Sequence, residues 1–591
     1  MERRVVLAVA LSIGLIFLIN VLFPPVQQTD SPDTDFSAVA DSSSVQAGEV
    51  PSLEPEVRDS VEPDTPLSDV AARIDPSAVA QGDTVVVRSG LYEYSFSTVG
   101  ATLVGARLTE FDSFAEEDPS GSSVQLVREN DQFLGYRIAV GGDTVRVDNR
   151  EFSASRASLD LTEATPRDSV TFTYEFPGSA SRFVVTYHFR YDTYLVGVTG
   201  RLEGFEDRGY AVVMSLGSGL RGNEKNPDED HSKFAMVTNG QESKVQVLKF
   251  NDLSVGDGRQ APGGPFHWVA VKSKYFLVAA VAPEDGPMFG GAIAQGLSEE
   301  HAMAIRTTLP VPAGSGGFEF SVYMGPQDYG RLNLIGQSFQ DVNSFGYRWL
   351  QPVSRPLVAI VMPILVWLHT RLSLEYGWVL ILFGILMRVV LFPLYQKSMR
   401  AQIGQMRVQP IVQDIRERFK DDPQKMQQEM MRVYKEEGVN PLAGCLPMLV
   451  PMPILFTLFF VFQGTIEFRG TPFLWLPDLS LRDPLFIIPL AMGASMFLLQ
   501  WIGQRNMTSV NSQMKMMMYA MPIFMTFLFA NFPSGLNLYY TTSNLASLPQ
   551  QLFLARERRA AGVGKPQESA GDTKKPPSSG SRKKGGRGGK G

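Results

Sequence analysis

Long apolar runs are confined to two parts of this chain, and this is the feature that most constrains its fold. One run extends from Val5 to Phe23, and the others lie between residues 351 and 555, whereas residues 24–350 are mostly polar. Apolar segments of about 17–25 residues are long enough to cross a bilayer as helices. We therefore expect membrane helices at the N-terminus and towards the C-terminus, with a large water-soluble domain between them.

The first apolar run is expected to remain as a membrane anchor. Arg3 and Arg4 precede it, and it ends in Phe23-Pro24-Pro25 without the small-residue cleavage site of a signal peptide. Basic residues favour the cytoplasmic side. Residues 1–23 are therefore predicted to be a transmembrane anchor. Residues 24–82 are rich in Pro, Ser, Asp and Glu, and this composition predicts a disordered tether outside the cytoplasm.

Residues 83–345 carry the period of β-strands. In Leu91–Thr98 and Arg182–Tyr191, aromatic and aliphatic residues alternate with mostly polar ones, and successive strand side chains point to opposite faces of a sheet. Many such runs, separated by Gly, Asp and Asn, predict a large antiparallel β-sandwich. Large sandwiches can process sugars, but His188 has no second His or carboxylate at a fixed spacing. A solvated surface histidine is the simpler interpretation.

Five further apolar segments are predicted to span the membrane. They run from about Trp378 to Tyr395, Leu442 to Phe462, Pro484 to Gly503, Met516 to Phe532 and Leu536 to Leu554. The turn Asn531–Gly535 joins the last two as a hairpin. The fourteen-residue segment Pro356–His369 is short for a span, so residues 346–375 are predicted to contain an interfacial helix.

Charge favours six spans over seven. With six, the basic loop 396–440 and the basic tail 556–591 lie in the cytoplasm beside the N-terminus; a seventh span would place both outside, against the positive-inside tendency. Helical periodicity on either side of Asp421-Asp422-Pro423 predicts that the loop is a helical hairpin. Its two apolar stripes are Ile411, Ile415 and Phe419, and Met426, Met430, Val433 and Tyr434.

Arg388 lies in the middle of the predicted span Trp378–Tyr395. An Arg at the centre of a membrane helix costs about 2.5–3.5 kcal/mol on insertion scales, so it needs a partner or a hydrated cavity. The other spans carry no Asp or Glu deep within them. We therefore expect a hydrated groove lined by neutral polar groups; the alternative is an Arg that extends to the interface.

The last span supplies polar residues for such a groove. Those predicted to line it are Asn537, Tyr540, Thr541, Ser543, Asn544, Ser547 and Gln551. Most recur at three or four residues, which places them on one helical face. An alternative role for this stripe is hydrogen bonding between helices without a cavity.

A flexible apolar surface is predicted beside the polar one. Methionines cluster within 514–525, and their flexible side chains suit a surface that accepts many apolar sequences, although ordinary membrane-helix packing explains them as well. The residues assigned to this surface are Met518, Met521, Met525, Phe456 and Phe459.

Enzymatic chemistry is not indicated, and neither a cofactor nor a metal is expected. Cys445 is the only cysteine, the five His are scattered, and no HExxH or GxxxxGK[ST] motif occurs. A secondary transporter would show two related halves, and no internal repeat is evident. A carbohydrate-active protein would need a convergent site in the sandwich, and none is evident from the sequence.

Several motifs resemble the YidC/Oxa family of membrane protein insertases. They are Gly377-Trp378 through Arg388 to Phe392-Pro393-Leu394, Gln427–Met431, Val439–Cys445 with Met452-Pro453, Phe532–Leu536 with Tyr539-Tyr540 and Ser543–Leu545, and Trp268–Phe276. They follow one another in the family's order over nearly the whole chain.

The resemblance implies an insertase of nascent inner-membrane proteins in a bacterial inner membrane, with a large periplasmic β-domain and both termini cytoplasmic. It implies a five-helix core over residues 376–555, a groove open to the cytoplasm in which Arg388 is the family's arginine, and cooperation with the Sec translocon. The ribosome, through the basic tail and hairpin 396–440, and membrane lipids are the other expected partners; DNA is not. Many relatives have Gln where this chain has Pro451, so a groove contact there is not carried over.

Overall fold

The fold is taken from a computed structural model. It describes residues 82–140, 143–204, 210–241, 245–297, 302–309, 311, 317–343, 345–346, 351–393, 396, 408, 411–438, 451–504 and 512–560. The predicted anchor 1–23, nearly all of the tether 24–82 and the tail beyond residue 560 lie outside these ranges.

Strands dominate the first half of the described chain. They are β1 Thr84–Arg88, β2 Tyr92–Ser97, β3 Leu103–Asp112, β4 Ser123–Gln125, β5 Tyr136–Val140, β6 Asp143–Arg146, β7 Ser153–Ala154, β8 Ser158–Asp160, β9 Arg167–Glu175, β10 Arg182–Arg190, β11 Leu195–Glu203, β12 Tyr210–Ser215, β13 Ala235–Gly240, β14 Gln246–Lys249, β15 Gly258–Gln260, β16 Phe266–Lys272, β17 Phe276–Val281, β18 Ala292–Gly296, β19 Met303–Leu309 and β20 Gly317–Pro326.

These strands form three sheets. Their strand orders are β4-β3-β2-β1-β8, β14-β13-β16-β17-β20-β11-β10-β9-β7 and β15-β18-β19-β12-β5-β6. Neighbouring strands pair antiparallel except β1 and β8, so the predicted large antiparallel β-domain is confirmed. The longest of the three sheets has nine strands and extends from β14 to β7.

The alternation that predicted the strands is the alternation of burial. Tyr92, Tyr94 and Phe96 of β2 are buried, as is every second residue of β10 from Phe183 to Phe189, whereas the residues between them are partly or fully exposed. Tyr92 and Tyr94 stack with ring centroids 4.0 Å apart, and the Tyr94 hydroxyl donates to the carbonyl of Met324 over 2.6 Å. Buried tyrosines need such acceptors. His188 is exposed, as expected, and its ring nitrogen lies 3.1 Å from the Thr199 hydroxyl.

Helices make up most of the remainder. They are α1 Pro227–His231, α2 Tyr329–Ile335, α3 Gln351–Leu372, α4 Tyr376–Val390, α5 411–418, α6 Pro423–Glu436, α7 Pro451–Gly464, α8 Ile487–Gln504, α9 Ser512–Phe529 and α10 Ser534–Ala560. Helices α3, α4 and α7 to α10 share one apolar core, which includes Leu365, Phe383, Leu458, Met492 and Leu536.

The length predicted for the segment before α4 was wrong. Helix α3 has 22 residues, eight more than Pro356–His369, because it continues through both prolines and into polar residues at each end. Among the described helices it alone is both long and apolar enough to cross a membrane by length and composition. Shortness therefore does not argue for an interfacial position. The interfacial helix and the count of six spans remain predictions.

The described residues of the loop 396–440 form the expected pair of helices. Asp422 caps α6, its carboxylate accepting from the N–H of Lys425 over 3.1 Å. Ile415 and Val433 are buried between α5 and α6, and Phe419 packs against them. Ile411, however, is exposed, and Val412 takes its place in the contact. The stripe assigned from sequence was wrong at that position, since the inward face lies one residue further along.

The segment after α7 joins the helical core to the β-domain. Ile466 is part of the β-domain's hydrophobic core. The Arg469 guanidinium donates to the Glu224 carboxylate over 2.7 Å and to the carbonyl of Asn223 over 3.2 Å. It also lies 4.3 Å from the centroid of the Phe114 ring. The Arg469 side chain is only 3% exposed, so the two parts of the chain share a buried ion pair.

A second set of hydrogen bonds crosses the same junction. Lys272 of β16 donates to the side-chain oxygen of Asn343 over 2.8 Å, and the Asn343 amide donates to the carbonyl of Gly464 at the end of α7 over 3.0 Å. Glu467 accepts from the N–H of Tyr329 at the start of α2 over 3.3 Å. Burial raises the pKa of Glu467 to about 8 and lowers that of Lys272 to about 7. Helix α7 is thus held at this end by the β-domain.

Candidate functional site

Helices α4 and α10 pack side by side and run in the same direction. A Cβ added at Gly535 would lie 3.2 Å from Leu380, and one added at Gly384 would lie 3.3 Å from the carbonyl of Tyr539 and 3.4 Å from Thr542. Both helices therefore advance together from Gly535 and Leu380. Glycine at 384 lets the backbones approach closely, as small residues do between membrane helices.

Arg388 follows Gly384 by one helical turn. It lies in the last turn of α4 rather than at the centre of a continuous helix, because α4 ends at Val390. The Arg388 side chain is partly buried, whereas Val389 and Val390 are 66% and 59% exposed. Arg388 is therefore turned towards the helical core and its apolar neighbours outward. A cation in this last turn also faces the negative end of the helix dipole.

The first predicted groove residue closes the α9–α10 hairpin. Asn537 is completely buried, and its amide donates to the carbonyls of Phe529 over 2.9 Å and Phe532 over 3.5 Å. The Thr541 hydroxyl donates to the carbonyl of Asn537 over 2.8 Å. These contacts fix the predicted turn between the two helices.

The middle of the predicted stripe faces α8. The Asn544 amide donates to the Ser495 hydroxyl over 3.0 Å, and Ser495 donates to the carbonyl of Met492 over 2.6 Å. The Ser547 hydroxyl donates to the carbonyl of Asn544 over 2.6 Å. Asn544 thus forms the interhelical hydrogen bond that the sequence left open as an alternative, and Ser495 is a partner that the sequence analysis missed.

The other predicted polar residues are partly buried on α10. They are Tyr540, Ser543 and Gln551. The Tyr540 ring packs edge-on against Phe529, with centroids 5.6 Å apart. Helical spacing places Ser543 on the side that carries Tyr539, which is the side towards α4.

Gln550 is a polar residue of α10 that the sequence analysis passed over in favour of Gln551. It is 8% exposed, and among the described residues neither its side-chain nitrogen nor its oxygen has a hydrogen-bond partner. Position in a QQ pair gives no signal as to which glutamine faces inward.

The predicted apolar surface is only partly assembled in the described residues. Phe459 packs against Phe532, with ring centroids 4.7 Å apart, and Phe456, Met521 and Met525 are partly buried. The side chain of Met518 lies outside the described part of the chain. Among the described side chains of α9, the large apolar ones that are exposed are Tyr519, Ile523, Phe524 and Phe527.

Metal-dependent chemistry has no evident site in the described ranges, where no three His, Cys, Asp or Glu residues are grouped to hold an ion. What the arrangement offers instead is a guanidinium, a carboxamide and several hydroxyls among apolar helices. Such groups bind polar segments of other molecules through hydrogen bonds and charge.

Two family models together match most of the chain. One described as 60Kd inner membrane protein matches residues 367–561, and one described as YidC periplasmic domain matches residues 84–360. The boundary between them, at residues 360–367, falls within α3 and therefore after the last strand, β20. The matches define an inner-membrane protein with a large periplasmic domain as the class to which the fold corresponds.

Curated relatives match over most of their length. The membrane protein insertase YidC of Prosthecochloris aestuarii is 30% identical over 587 residues, 94% of either chain. That of Pelodictyon phaeoclathratiforme is 32% identical and covers 82% of this chain and 85% of its own. That of Chlorobium limicola is 30% identical over 80% of this chain and 82% of its own. The chain therefore belongs to the YidC family of membrane protein insertases, as its motifs indicated.

Solved structures superpose more loosely. A crystal structure of an active YidC insertase, with its first transmembrane domain resolved, covers 80% of this chain and 95% of its own at 19% identity and a TM-score of 0.33. A galactose mutarotase related enzyme from Lactobacillus acidophilus covers 41% of this chain and 97% of its own at 13% identity and a TM-score of 0.26.

Proposed function

We propose that this insertase receives the polar segment of a nascent membrane protein between α4 and α10, in a hydrated groove centred on Arg388. The observation that carries the proposal is the inward orientation of Arg388 among outward-facing valines. A fixed cation at this depth is costly unless a partner in the protein, water or a polar ligand reaches it. A groove that admits water also lowers the cost of bringing a polar peptide segment to that depth.

The apolar segment of the substrate leaves along neighbouring helices. The exposed apolar side chains of α9, including Ile523 and Phe527, and the exposed Val389 and Val390 of α4 offer it a surface continuous with lipid. Partitioning of the apolar segment into the bilayer then drives the transfer. Arg388 adds attraction for acidic residues in the segment that is translocated, and the membrane potential acts on the same charges.

Topology and partners complete the proposal. Six spans with both termini in the cytoplasm put the pair α5–α6 and the basic tail on the side where nascent chains emerge, and the β-domain in the periplasm. The charge pattern of the chain supports this orientation. The ribosome and the Sec translocon are the proposed partners, and membrane lipids surround the core. The chain acts as an insertase and chaperone, with no catalytic step of its own.

An assay that measures how a short two-span substrate inserts into vesicles containing the reconstituted protein tests the role of the groove. Two versions of the substrate are compared, one with acidic and one with neutral residues in the translocated segment. Arg388→Ala should lower insertion of the acidic version roughly tenfold, equivalent to about 1.4 kcal/mol, and of the neutral version much less. Arg371→Ala, which removes an exposed Arg at the end of α3, is the matched control and should leave both unchanged.

Lysine at position 388 separates charge from geometry. Arg388→Lys should restore preference for the acidic substrate, because it keeps the positive charge. Equal insertion of both substrates by wild type and Arg388→Ala would refute the electrostatic role of Arg388. Loss of both substrates to the same degree would refute it too, and would assign Arg388 to the stability of the bundle.

A further inference from the structure

Gln550, a buried glutamine on α10, is a feature of the helical core that packing alone does not explain. Its carboxamide is buried on α10, and neither polar atom forms a hydrogen bond among the described residues. Buried side-chain amides are nearly always hydrogen-bonded, since an unmade bond costs the full desolvation of the group. A residue that destabilises the fold in this way is a candidate for binding something that enters from outside.

Helix geometry places Gln550 on the face of α10 that is turned towards α4, and further along the bundle than Arg388. Tyr539, Ser543, Ala546 and Gln550 follow one another at steps of four, three and four residues, so they form one stripe of α10. The carbonyl of Tyr539 contacts Gly384 of α4, so this stripe is turned to the helix that carries Arg388.

The depth of Gln550 follows from the same contacts. Thr542 is level with Gly384. At about 1.5 Å per residue, Arg388 lies about 6 Å beyond that level and Gln550 about 12 Å beyond it. Gln550 is therefore about one helical turn further towards the end at which substrate is proposed to enter.

On the basis of the proposed insertase groove, we propose that the Gln550 carboxamide binds the polypeptide backbone of the entering substrate. An extended chain presents unpaired N–H and C=O groups, and a carboxamide offers a donor and an acceptor that match one peptide unit. Such a pair has no net charge and does not depend on the substrate's side chains. Gln550 thus serves every substrate, whereas Arg388 distinguishes acidic from neutral ones.

The first test measures both the thermal stability and the insertion activity of a variant at position 550. Gln550→Met keeps the length of the side chain and removes both unsatisfied atoms. It should raise the thermal midpoint of the detergent-solubilised full chain and lower insertion of acidic and neutral substrates alike, by roughly five- to tenfold, as expected for one lost hydrogen-bonded pair. Gln351→Met, at a partly buried glutamine in the first turn of α3, is the matched control and should change neither.

The second test changes the backbone of the substrate and compares its insertion by the wild-type protein and the variants. A substrate in which single peptide bonds of the polar segment are replaced in turn by esters lacks one N–H donor at each position. At one register the ester should slow insertion by the wild-type protein and by Gln351→Met, and leave insertion by Gln550→Met unaffected. A lower thermal midpoint together with the same ester sensitivity in Gln550→Met would overturn the proposal and make Gln550 a packing residue.

The two proposals fail separately. If the charge dependence of Arg388→Ala is observed but Gln550→Met inserts both substrates at the wild-type rate, the groove stands and backbone binding by Gln550 is wrong. If Arg388→Ala shows no charge dependence while the ester effect depends on Gln550, the backbone contact stands and the electrostatic role of Arg388 is wrong.

Discussion

Arg469 is expected to couple the stability of the β-domain to that of the helical core. Its guanidinium is paired with Glu224 at 2.7 Å, with side chains 3% and 12% exposed, and it lies over the ring of Phe114. Removing one partner of a buried ion pair leaves the other charge desolvated and costs about 3–5 kcal/mol. Arg469→Met should therefore destabilise the full chain by about that amount, and Glu224→Gln by a similar or smaller one.

The double variant measures the coupling. With both charges gone, no buried ion is left unpaired, so Arg469→Met with Glu224→Gln should cost about as much as Arg469→Met alone. The expected interaction energy is about 2–3 kcal/mol, within the range seen for contacting residues. The exposed pair Arg331–Glu110, at 3.2 Å and about 40% exposure on each side, is the matched control. Its loss should cost under about 1 kcal/mol.

Proteolysis of the β-domain in the detergent-solubilised protein, measured across a urea series, reports the effect. The measurement is made at pH 8, where Glu224 is mostly ionised, since burial raises its pKa to about 7. If Arg469 only filled space at a loose contact, Arg469→Met would shift the urea midpoint no more than the Arg331→Met control. That result, or strict additivity of the two single changes, would refute the coupling.

Four further predictions follow from the structure. Burial raises the pKa of Glu467 to about 8 from an unfolded value near 4.3, so between these pH values the folded chain holds a proton that the unfolded chain releases. The contribution of Glu467 to stability is therefore fully present below about pH 4.3 and is lost as the pH rises through 8. Glu467→Gln should reduce the change in melting temperature between pH 5 and pH 9. Gly377→Ala should destabilise the core measurably in urea, because the new Cβ would lie 2.0 Å from Phe473. Deleting Asp30–Gly325 should leave insertion activity in place, since the groove lies after residue 375, but should lower the melting temperature. Removing the tail Lys565–Lys590 should weaken ribosome co-sedimentation most at low salt; identical curves would leave it as a topology signal.

The strands were predictable because their cause is local. Burial of one face of a sheet imposes a period of two, and the aromatic residues at 92, 94 and 96 show it within six residues. The turn between α9 and α10 was equally predictable, since Phe532-Pro533-Ser534-Gly535 ends one helix and begins the next. In both cases the residues that specify the element lie inside it.

The junction could not be predicted, because its partners are far apart in sequence. Glu224 and Arg469 are separated by 245 residues, and each lies in a segment with no periodic pattern. The site is an intermediate case. Periodicity identified which residues of α10 share a face, but it carries no information on which helix each face meets. Asn544 was therefore predicted to line the groove, with a hydrogen bond between helices as the alternative, and its amide is hydrogen-bonded to Ser495 of α8.

The hydrogen bonds of α10 change along its length, and the change bears on where a groove can open. Near the hairpin turn, the Asn537 amide is held by two carbonyls, and at the level of Asn544 the contact with α8 is closed by Ser495. Two turns further, the carboxamide of Gln550 has no such partner in the described chain. Helices joined by polar bonds separate only at the cost of those bonds. Hydrogen bonds therefore hold the helices together at the end of the bundle next to the β-domain. Under the proposed mechanism, substrate enters at the opposite end, where Arg388 and Gln550 lie.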